Sequence, residues 1–594
     1  MGKPFDINIE DLSGGLNESA PENIADNELA VCENFHVDTA KGVLARNGHA
    51  EVAGPHPNDE EILSVFRYAP SFDADETTIL GCESSIAKVN GTAIETLSIA
   101  DGIVYQTSAE RWWGKQYNDE LFMCQKNQGG VKRVYGDSVM EAGISAPVVA
   151  PNAIEGGVGK MIAGQYFIAY RYCNTITGSK SNWSPLSKGV TIIDNQKISV
   201  TDIGISTSRQ VNARQIGATK ALADTATGGV IYLVAQINDN SSTALSLNVI
   251  DPDEYGEADV DVNGNVTTDI RNGAPPSQAW ALDIHKERLF VGNKDGIAWS
   301  EAGLPQSFKS TSFLPVSKLT GILSWDQHGL VIGTEQNVKI LEGDTPSDWR
   351  LDTLSEQHRC PAGKSLAVGD GTLFWYTGVN IVASGGQAPV ILPRIERIRT
   401  TLDSIPEDEK WDVIGETFPS KGWYVLSVPT DDGRKLIVYD YVRSAFAVFP
   451  DGPKTVARLF APDESETIFA AFEDDFTLYE YLSGNTDDGA AITATLRTKA
   501  YSRQGQHSIV RRVSIHCPAT NGTATVKVYQ DKVLVATRSG VSLNKNEPKR
   551  ITVNASGRPG SLIQAEIIYA GSPRLHIDRL QIEGVDLRRR INAI

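Results

Sequence analysis

The chain has 594 residues, a formal net charge of −19, 41% hydrophobic residues and 22% charged residues. This length exceeds that of a domain with a single hydrophobic core, so we expect two to four domains. The composition is that of a folded globular protein. The acidic balance excludes simple non-specific binding to nucleic acid, which needs a basic surface.

Cysteine usage and hydropathy limit the cellular context. The cysteines are scattered singly, with no Cys-x-x-Cys pair and no zinc spacing, at Cys32, Cys82, Cys124, Cys173, Cys360 and Cys517. We therefore expect no disulfide framework and a reducing compartment during folding. No apolar run follows Lys3, so no secretory signal is expected, and no stretch approaches the roughly 20 apolar residues that span a bilayer.

Residues 1–60 are predicted to form a lead-in segment before the first repeat. Its densest run of turn formers extends from Leu12 to Gly48, opening with SGGLN and ending with GVLARNG. The approximate helical spacing of apolar residues predicts a short helix over Pro21–Phe35. Arg46 is either the partner of a nearby carboxylate or a solvated strand residue. We expect turn conformations at four glycines, Gly14, Gly15, Gly42 and Gly48.

Short alternating strands, bounded by Gly, Asp, Asn or Pro, dominate the chain after the lead-in. Two similar units lie in residues 61–144, and five more, with a period of about 40 residues, lie between Ala279 and Leu482. Such a sheet cannot bury both faces alone, but sheets packed around an axis can. The pattern predicts a mainly β fold with a six- to eight-bladed β-propeller in residues 61–144 and 277–484. A pair of ordinary β-sandwiches is the alternative.

The sequence between the two groups of repeats has a different pattern from that of the repeats. Alternation in YFIAYRY (residues 166–172) and VIYLVAQI (residues 230–237) predicts an inserted fibronectin type III-like β-sandwich in residues 145–276. This insert ends in an acidic loop without Lys or Arg, which contains Asp251, Asp253, Glu254, Glu257, Asp259, Asp261 and Asp269.

Part of this acidic loop starts like a calcium-binding loop. Asp259, Asp261, Asn263 and Gly264 match its first positions, but Ile270 stands where a bidentate Glu is required. A turn is the preferred interpretation, and a weak calcium site over residues 259–270 is the alternative.

The later part of the chain contains one predicted helix and a last domain. RIERIRTTLDSI, Arg394–Ile405, is the best helical candidate. Residues 485–594 contain TATVKVYQDKVLVATR and SLIQAEIIYAGSPRLHIDRL, which predict hairpins of a C-terminal β-sandwich. The basic run Arg588–Arg590 is either a docking tail or a solvated terminus.

The sequence matches motifs of known catalytic chemistry only weakly. GGVGKM, Gly156–Met161, lacks both the Ser or Thr and the glycine spacing of a phosphate-binding loop, and there is no G-x-S-x-G elbow. His358 and Cys360 have no further ligands at zinc spacing. The pairs Asp431–Asp432 and Asp474–Asp475 fall in predicted turns. We assign no catalytic, cofactor-binding or metal-binding residue and expect neither a cofactor nor enzymatic activity.

Three phrases together resemble a known family. SGGLN…LARNG, YFIAYRYCN…SNWSPLS and RLFVGNKDGIAWSEAGLPQSF (Arg288–Phe308) are similar to tail proteins of tailed bacteriophages, and more narrowly to the β-propeller nozzle or tail-tube subunits of short-tailed phages. The resemblance covers most of the chain as a pattern of modules, and the third phrase is its strongest part.

The resemblance implies a structural virion protein. Such a subunit forms a ring, most often a hexamer, below the portal and the head-to-tail adaptor, beside tail fibres or spikes. Viral double-stranded DNA passes through the lumen without sequence-specific binding. The implied location is the virion tail, assembled in the bacterial cytoplasm, and the acidic loop becomes a candidate channel or gate loop. The alternatives are a propeller that binds or cleaves host-surface glycans and a head-to-tail stabilising plug.

Overall fold

The computed structural model describes residues 3–38, 41–71, 76–99, 105–250, 272–460, 465–503, 506–517, 522–543, 549–553, 559–572 and 574–587. As predicted, the chain is mainly β, with 54% of residues in strands and 4% in helices. Among the described residues, no helix has the length and apolar character needed to cross a bilayer. All six cysteines are buried and unpaired.

The opening segment forms strands instead of the predicted helix. Its strands are β1 (Lys3–Ile9), β2 (Gly15–Leu16), β3 (Glu28–Glu33), β4 (Phe35–Val37), β5 (Val43–Ala45) and β6 (Gly48–Ala53). The expected helix over Pro21–Phe35 is wrong, because β3 pairs with a strand near residue 496 and buries Leu29 and Cys32 between sheets. This tertiary pairing outweighs the weak local helical spacing.

Two sheets follow in residues 62–141, antiparallel except for the parallel pairing of the short strand Ser98–Ile99. The first contains β7 (Ile62–Tyr68), β8 (Thr77–Cys82), β9 (Ile86–Asn90) and β10 (Ala93–Thr96) in sequential order. The second contains β11 (Ser98–Ile99), β12 (Trp113–Tyr117), β13 (Glu120–Cys124), β14 (Lys132–Tyr135) and β15 (Ser138–Glu141). In the second sheet, β12 to β15 form the meander and β11 adds outside β15.

The insert has its own sheets and its own core. Its strands are β16 (Asn152–Met161), β17 (Gly164–Tyr166), β18 (Ile168–Cys173), β19 (Val190–Ile192), β20 (Gln196–Thr201), β21 (Ala213–Ala218), β22 (Tyr232–Ile237) and β23 (Leu245–Leu247). They form the sheets β16-β20-β23, β17-β19 and β18-β21-β22. Side chains from all three sheets, including Tyr166, Ile168 and Ile198, share one hydrophobic cluster.

Three four-stranded sheets occupy residues 281–391. Their strands are β24 (Ala281–His285), β25 (Arg288–Gly292), β26 (Gly296–Glu301) and β27 (Leu304–Pro315), then β28 (Leu319–Trp325), β29 (Gly329–Thr334), β30 (Val338–Glu342) and β31 (Arg350–Ser355), then β32 (Ala367–Gly369), β33 (Thr372–Tyr376), β34 (Ile381–Ser384) and β35 (Val390–Ile391). Each sheet is an antiparallel meander in sequence order.

Short helices lie before β32, between β35 and the next strand, and directly after that strand. The 3-10 helices span Gly363–Ser365, Ile395–Ile398, Glu407–Asp412 and Pro419–Lys421, and α1 spans Arg399–Asp403. The predicted helix over Arg394–Ile405 is therefore confirmed for residues 395–403.

The strands that follow are β36 (Ile414–Phe418), β37 (Trp423–Val428), β38 (Lys435–Asp440), β39 (Ala445–Phe449), β40 (Thr455–Phe460), β41 (Glu466–Ala471), β42 (Leu478–Ser483), β43 (Thr486–Asp487) and β44 (Ala490–Ala491). The meander β40-β41-β42 receives its fourth strand from the opening segment. β6 pairs antiparallel with β42, from Ala53 opposite Leu478 to Gly48 opposite Ser483.

The final strands are β45 (Thr493–Thr498), β46 (Tyr501–Ser502), β47 (His507–His516), β48 (Gly522–Gln530), β49 (Val533–Leu543), β50 (Lys549–Thr552), β51 (Leu562–Ala570), β52 (His576–Ile577) and β53 (Arg579–Leu587). One sheet has the order β1-β53-β47-β50, and β3 joins β45, β51, β48 and β49 in another. One hydrophobic cluster contains side chains of both sheets. The opening segment thus pairs with the end of the chain, although it precedes the first repeat in sequence.

Seven antiparallel meanders, whose first strands are β7, β12, β24, β28, β32, β36 and β40, contact one another in a closed order. β7 contacts β12, β12 contacts β24, and β24 contacts β28. β28 contacts the 3-10 helix Gly363–Ser365, which lies with β32 against β36. β36 contacts β40, and β40 returns to β7. These strands surround the cavities described next.

Candidate functional site

A cavity of about 500 Å³ lies among the first strands, and we call it the axial cavity. Its lining comes from six of these strands and from the 3-10 helix at Gly363–Ser365. The charged lining residues are Arg67, Arg111, Lys115, Asp283, Lys364, Glu416 and Arg458. Five cations and two carboxylates therefore face a space walled by β-strands.

Asp283 is held in place at the wall of the axial cavity. Only 2% of the residue is exposed, and its two oxygens accept hydrogen bonds from the backbone N–H groups of Ile284 (2.7 Å) and Ser324 (2.8 Å). The Lys115 ammonium lies 3.5 Å from Asp283 Oδ1, and this carboxylate raises the pKa of Lys115. The two side chains are thus fixed in place.

Glu416 is the second carboxyl group of the cavity. Burial raises its pKa, against the opposing effects of Arg458 and of hydrogen bonds from the backbone. The Thr417 N–H donates to Glu416 Oε1 at 2.9 Å. A raised pKa is a property of general acids, so Asp283 and Glu416 are the carboxyl groups to test for hydrolytic chemistry.

Trp113 and Lys364 close one end of the axial cavity. The Lys364 ammonium lies 4.0 Å from the centroid of the Trp113 ring, a cation–π contact. Gly321 is required beside them, since a Cβ there would lie 2.7 Å from both Gly363 Cα and the Trp113 ring. Trp113, Gly321, Gly363 and Lys364 are therefore closely packed at this end of the cavity.

A second cavity of about 360 Å³ lies on the other side of this closure, and we call it the mouth cavity. Arg111, Trp113, Gly363 and Lys364 line both cavities. The other lining residues of the mouth cavity are Glu110, Lys126, Trp280, Lys294, Lys318, Leu319, Thr320, Glu335, Pro361 and Trp411. Three indoles and several cations thus share one concave surface.

A buried ion-pair network supports the floor of the mouth cavity. Arg111 donates to Asp412 Oδ1 at 2.8 Å, and Arg434 donates to the other oxygen of Asp412. The Lys454 ammonium lies 3.9 Å from Asp412 and 4.0 Å from Glu61. Burial lowers the pKa of Arg111 to about 10. The network joins three different sheets to the 3-10 helix Glu407–Asp412, so it fixes the guanidinium of Arg111.

One buried group has ligand types that suit a metal ion. Donor atoms of His56, Glu60 and Cys82 lie within 4.8 Å of one another. The Ser85 hydroxyl donates to Glu60 Oε2 at 2.8 Å and lies 3.4 Å from His56 Nε2, and Ser85 also bonds the Cys82 thiol. Hydrogen bonds through Ser85 therefore account for the cluster. The sequence analysis missed it because the residues lack a recognised zinc spacing.

The insert carries a concentration of exposed aliphatic side chains. Nine of the twenty-one exposed large hydrophobic residues in the described chain lie there: Val148, Val149, Ile154, Val158, Ile162, Ile176, Ile193, Ile205 and Ile250. Val158 is 89% exposed and lies on β16, whose ladder in the described residues pairs only with β20. The GGVGKM motif belongs to this edge strand, not to a loop before a helix.

Two sequence-based site predictions have different outcomes. Arg46 is 1% exposed and forms two bonds with Asp487, at 2.8 and 2.6 Å, so the predicted carboxylate partner is confirmed. The candidate channel or gate loop and the alternative calcium site, within residues 251–270, lie outside the described residues, as does Arg588–Arg590.

Comparisons with known proteins leave the family open. No protein-family model and no curated protein matches the chain. It is similar to BBS1N in complex with ARL6DN, with a TM-score of 0.26, 10% identity, and 75% of this chain and 98% of that chain covered. It is also similar to a glycoside hydrolase family 43 arabinoxylan arabinofuranohydrolase from Bacillus subtilis, with a TM-score of 0.19, 10% identity, and 74% and 95% covered. Likenesses at this level carry no argument about function.

Proposed function

We propose that this chain is a structural subunit of a bacteriophage tail, of the nozzle type, built on a seven-bladed β-propeller. The closed order of contacts from β7 through β40 and back to β7 supports the propeller. β6 supports it as well, because a strand from the opening segment that completes the last sheet would lock the ring of blades.

The exposed aliphatic side chains of the insert are the observation that supports a structural role most directly. A concentration of exposed aliphatic side chains is typical of surfaces that contact other proteins. Register shifts interrupt the ladder of β16 on both sides of Val158, so side-chain packing is favoured over strand addition. We assign this surface to the contact with a neighbouring copy in a ring, most simply a hexamer.

The DNA conduit of this proposal is the hole of the ring, not the axis of one chain. Within the single chain, Trp113 and Lys364 lie against each other between the axial cavity and the mouth cavity. Six copies would carry a formal charge of about −114, six times −19, which favours sliding of a duplex over its retention. The adaptor and portal above and tail fibres or spikes beside the ring are the partners that the family resemblance adds.

The oligomeric state of the purified chain tests this proposal. We expect light scattering to detect a ring at high protein concentration, and Val158→Asp to shift it to the monomer because a carboxylate cannot be buried unpaired. Val442→Asp is the matched control, since Val442 is 69% exposed but lies outside the insert. A monomer at every concentration, or equal behaviour of both variants, would overturn the assignment.

A further inference from the structure

The mouth cavity presents three indole rings to one space. Trp113 begins β12, Trp280 directly precedes β24, and Trp411 belongs to the 3-10 helix Glu407–Asp412. Trp411 is 44% exposed although it lines a concave surface. A large aromatic face left open to water in a cavity is unfavourable unless a ligand covers it. Flat aromatic faces suit the C–H faces of sugar rings.

The cations of the cavity divide into paired and unpaired groups. Lys126 lies 2.8 Å from Glu110, Lys318 lies 3.4 Å from Glu335, and Arg111 is bonded to Asp412. By contrast, Lys294 and Lys364 have no carboxylate within salt-bridge distance in the part of the chain that the structure describes. The cavity therefore offers two uncompensated positive charges beside the indoles.

Lys364 is the more constrained of these two cations. Burial, together with the nearby cations Arg111 and Lys115, lowers the pKa of its ammonium to about 7, against the raising effects of Cys124 and Asp283. The side chain lies against Trp113, which restricts its direction. An anion placed beside this ammonium would remove much of the cost of its burial.

We propose that the mouth cavity binds a sugar that carries a carboxylate, with the ring on the indoles of Trp411 and Trp280 and the carboxylate at Lys364. A volume of about 360 Å³ lies within the range of small-ligand sites. The unpaired cations of the cavity are single ammonium groups, not an array of backbone N–H groups or a free guanidinium fork, which favours a carboxylate over a phosphate. This inference is independent of the proposed ring.

Titration of the full-length chain with D-glucuronic acid and N-acetylneuraminic acid tests the inference by calorimetry and tryptophan fluorescence. We expect saturable binding of at least one acid and none of D-glucose, which lacks the carboxylate. No saturable binding of either acid, or equal binding of glucose, would overturn the proposal. Equal or tighter binding of AMP or inorganic phosphate would assign the cavity to phosphate ligands and would also overturn it.

Variants and pH identify the binding groups. We expect Trp411→Ala and Lys364→Met each to weaken binding at least tenfold, while Lys339→Met on β30, outside the cavity, leaves it unchanged. Because the bound carboxylate requires the protonated ammonium, affinity should fall about tenfold between pH 6 and pH 8. The pH profile needs no variant, so it remains decisive if Lys364→Met fails to fold, and a flat profile contradicts the role of Lys364.

Discussion

Arg46 ties the opening segment to the last sheet by a nearly buried ion pair. It is 1% exposed, donates to both oxygens of Asp487, and donates to Asn34 Oδ1 at 2.7 Å. Burial opposes ionisation of Asp487, but hydrogen bonds from His49 and Arg46 outweigh it and lower the pKa of Asp487 to about 2. The pair therefore stabilises the fold only while Asp487 is ionised.

Removal of this cation should be costly. We expect Arg46→Met to lower the free energy of unfolding by about 3 kcal/mol, because it leaves a partly buried carboxylate uncompensated. Guanidinium unfolding monitored by fluorescence measures the effect. Arg350→Met, in an exposed pair with Asp352, is the control and should leave the midpoint unchanged.

The pH dependence of the same pair has a definite sign. A lowered folded-state pKa adds stability above the unfolded value near 4, and this contribution is lost as the pH falls from about 4 to about 2. We expect the wild-type chain to lose more stability over that interval than Arg46→Met does. Parallel pH profiles of the two proteins would contradict the assigned role of Arg46.

Two glycines of the opening segment show what sequence could and could not predict at this scale. Gly15 has φ +68°, as expected of a turn glycine. Gly48 is required for another reason, since a Cβ there would lie 1.8 Å from the carbonyl oxygen of Thr486. The partner is more than 400 residues away in sequence, so no local pattern reveals this close approach.

At the scale of elements, β6 is the strand that completes the last sheet, and Gly48 permits its approach to β43. We expect Gly48→Ala to destabilise the chain by about 1–3 kcal/mol, because the methyl group overpacks against backbone that cannot rotate away. Faster hydrogen exchange across β42 should accompany the loss. Gly385→Ala is the control, since a Cβ at Gly385 meets nothing within 4 Å. Unchanged exchange in β42 would show that β6 does not hold the sheet.

The strands of the repeats were predictable because each carries its own alternation and its own turn residues. GLVIGT and GWYVLSV are strands in the structure, at β29 and β37. The opening segment was not predictable, because the strand at Glu28–Glu33 is defined by partners hundreds of residues later. The indoles of the mouth cavity were also missed, since Trp113, Trp280 and Trp411 share no motif and are brought together only by the closed order of sheets.

At the scale of the whole molecule, the carboxyl groups of the axial cavity are held in place by contacts that stabilise the fold. Asp283 is fixed by two backbone N–H groups and Lys115, and Glu416 accepts from Thr417. We therefore expect the purified chain to release no reducing ends from polysaccharide or peptidoglycan, measured by reducing-sugar assay. Turnover that Glu416→Gln abolishes, with the fold intact by circular dichroism, would contradict this expectation.

Because β1 pairs with β53, the sheet that contains β1 can be completed only late in translation. Ile9 lies opposite Leu580, so the partner of β1 leaves the ribosome more than 570 residues after it. At synthesis rates of about 5–20 residues per second, β1 waits roughly half a minute to two minutes for the one strand that pairs with it in the described sheets. β3 waits almost as long for β45. The sheet that contains β1 can therefore be completed only after translation has passed residue 580. A chain that stops earlier keeps β1 without its partner.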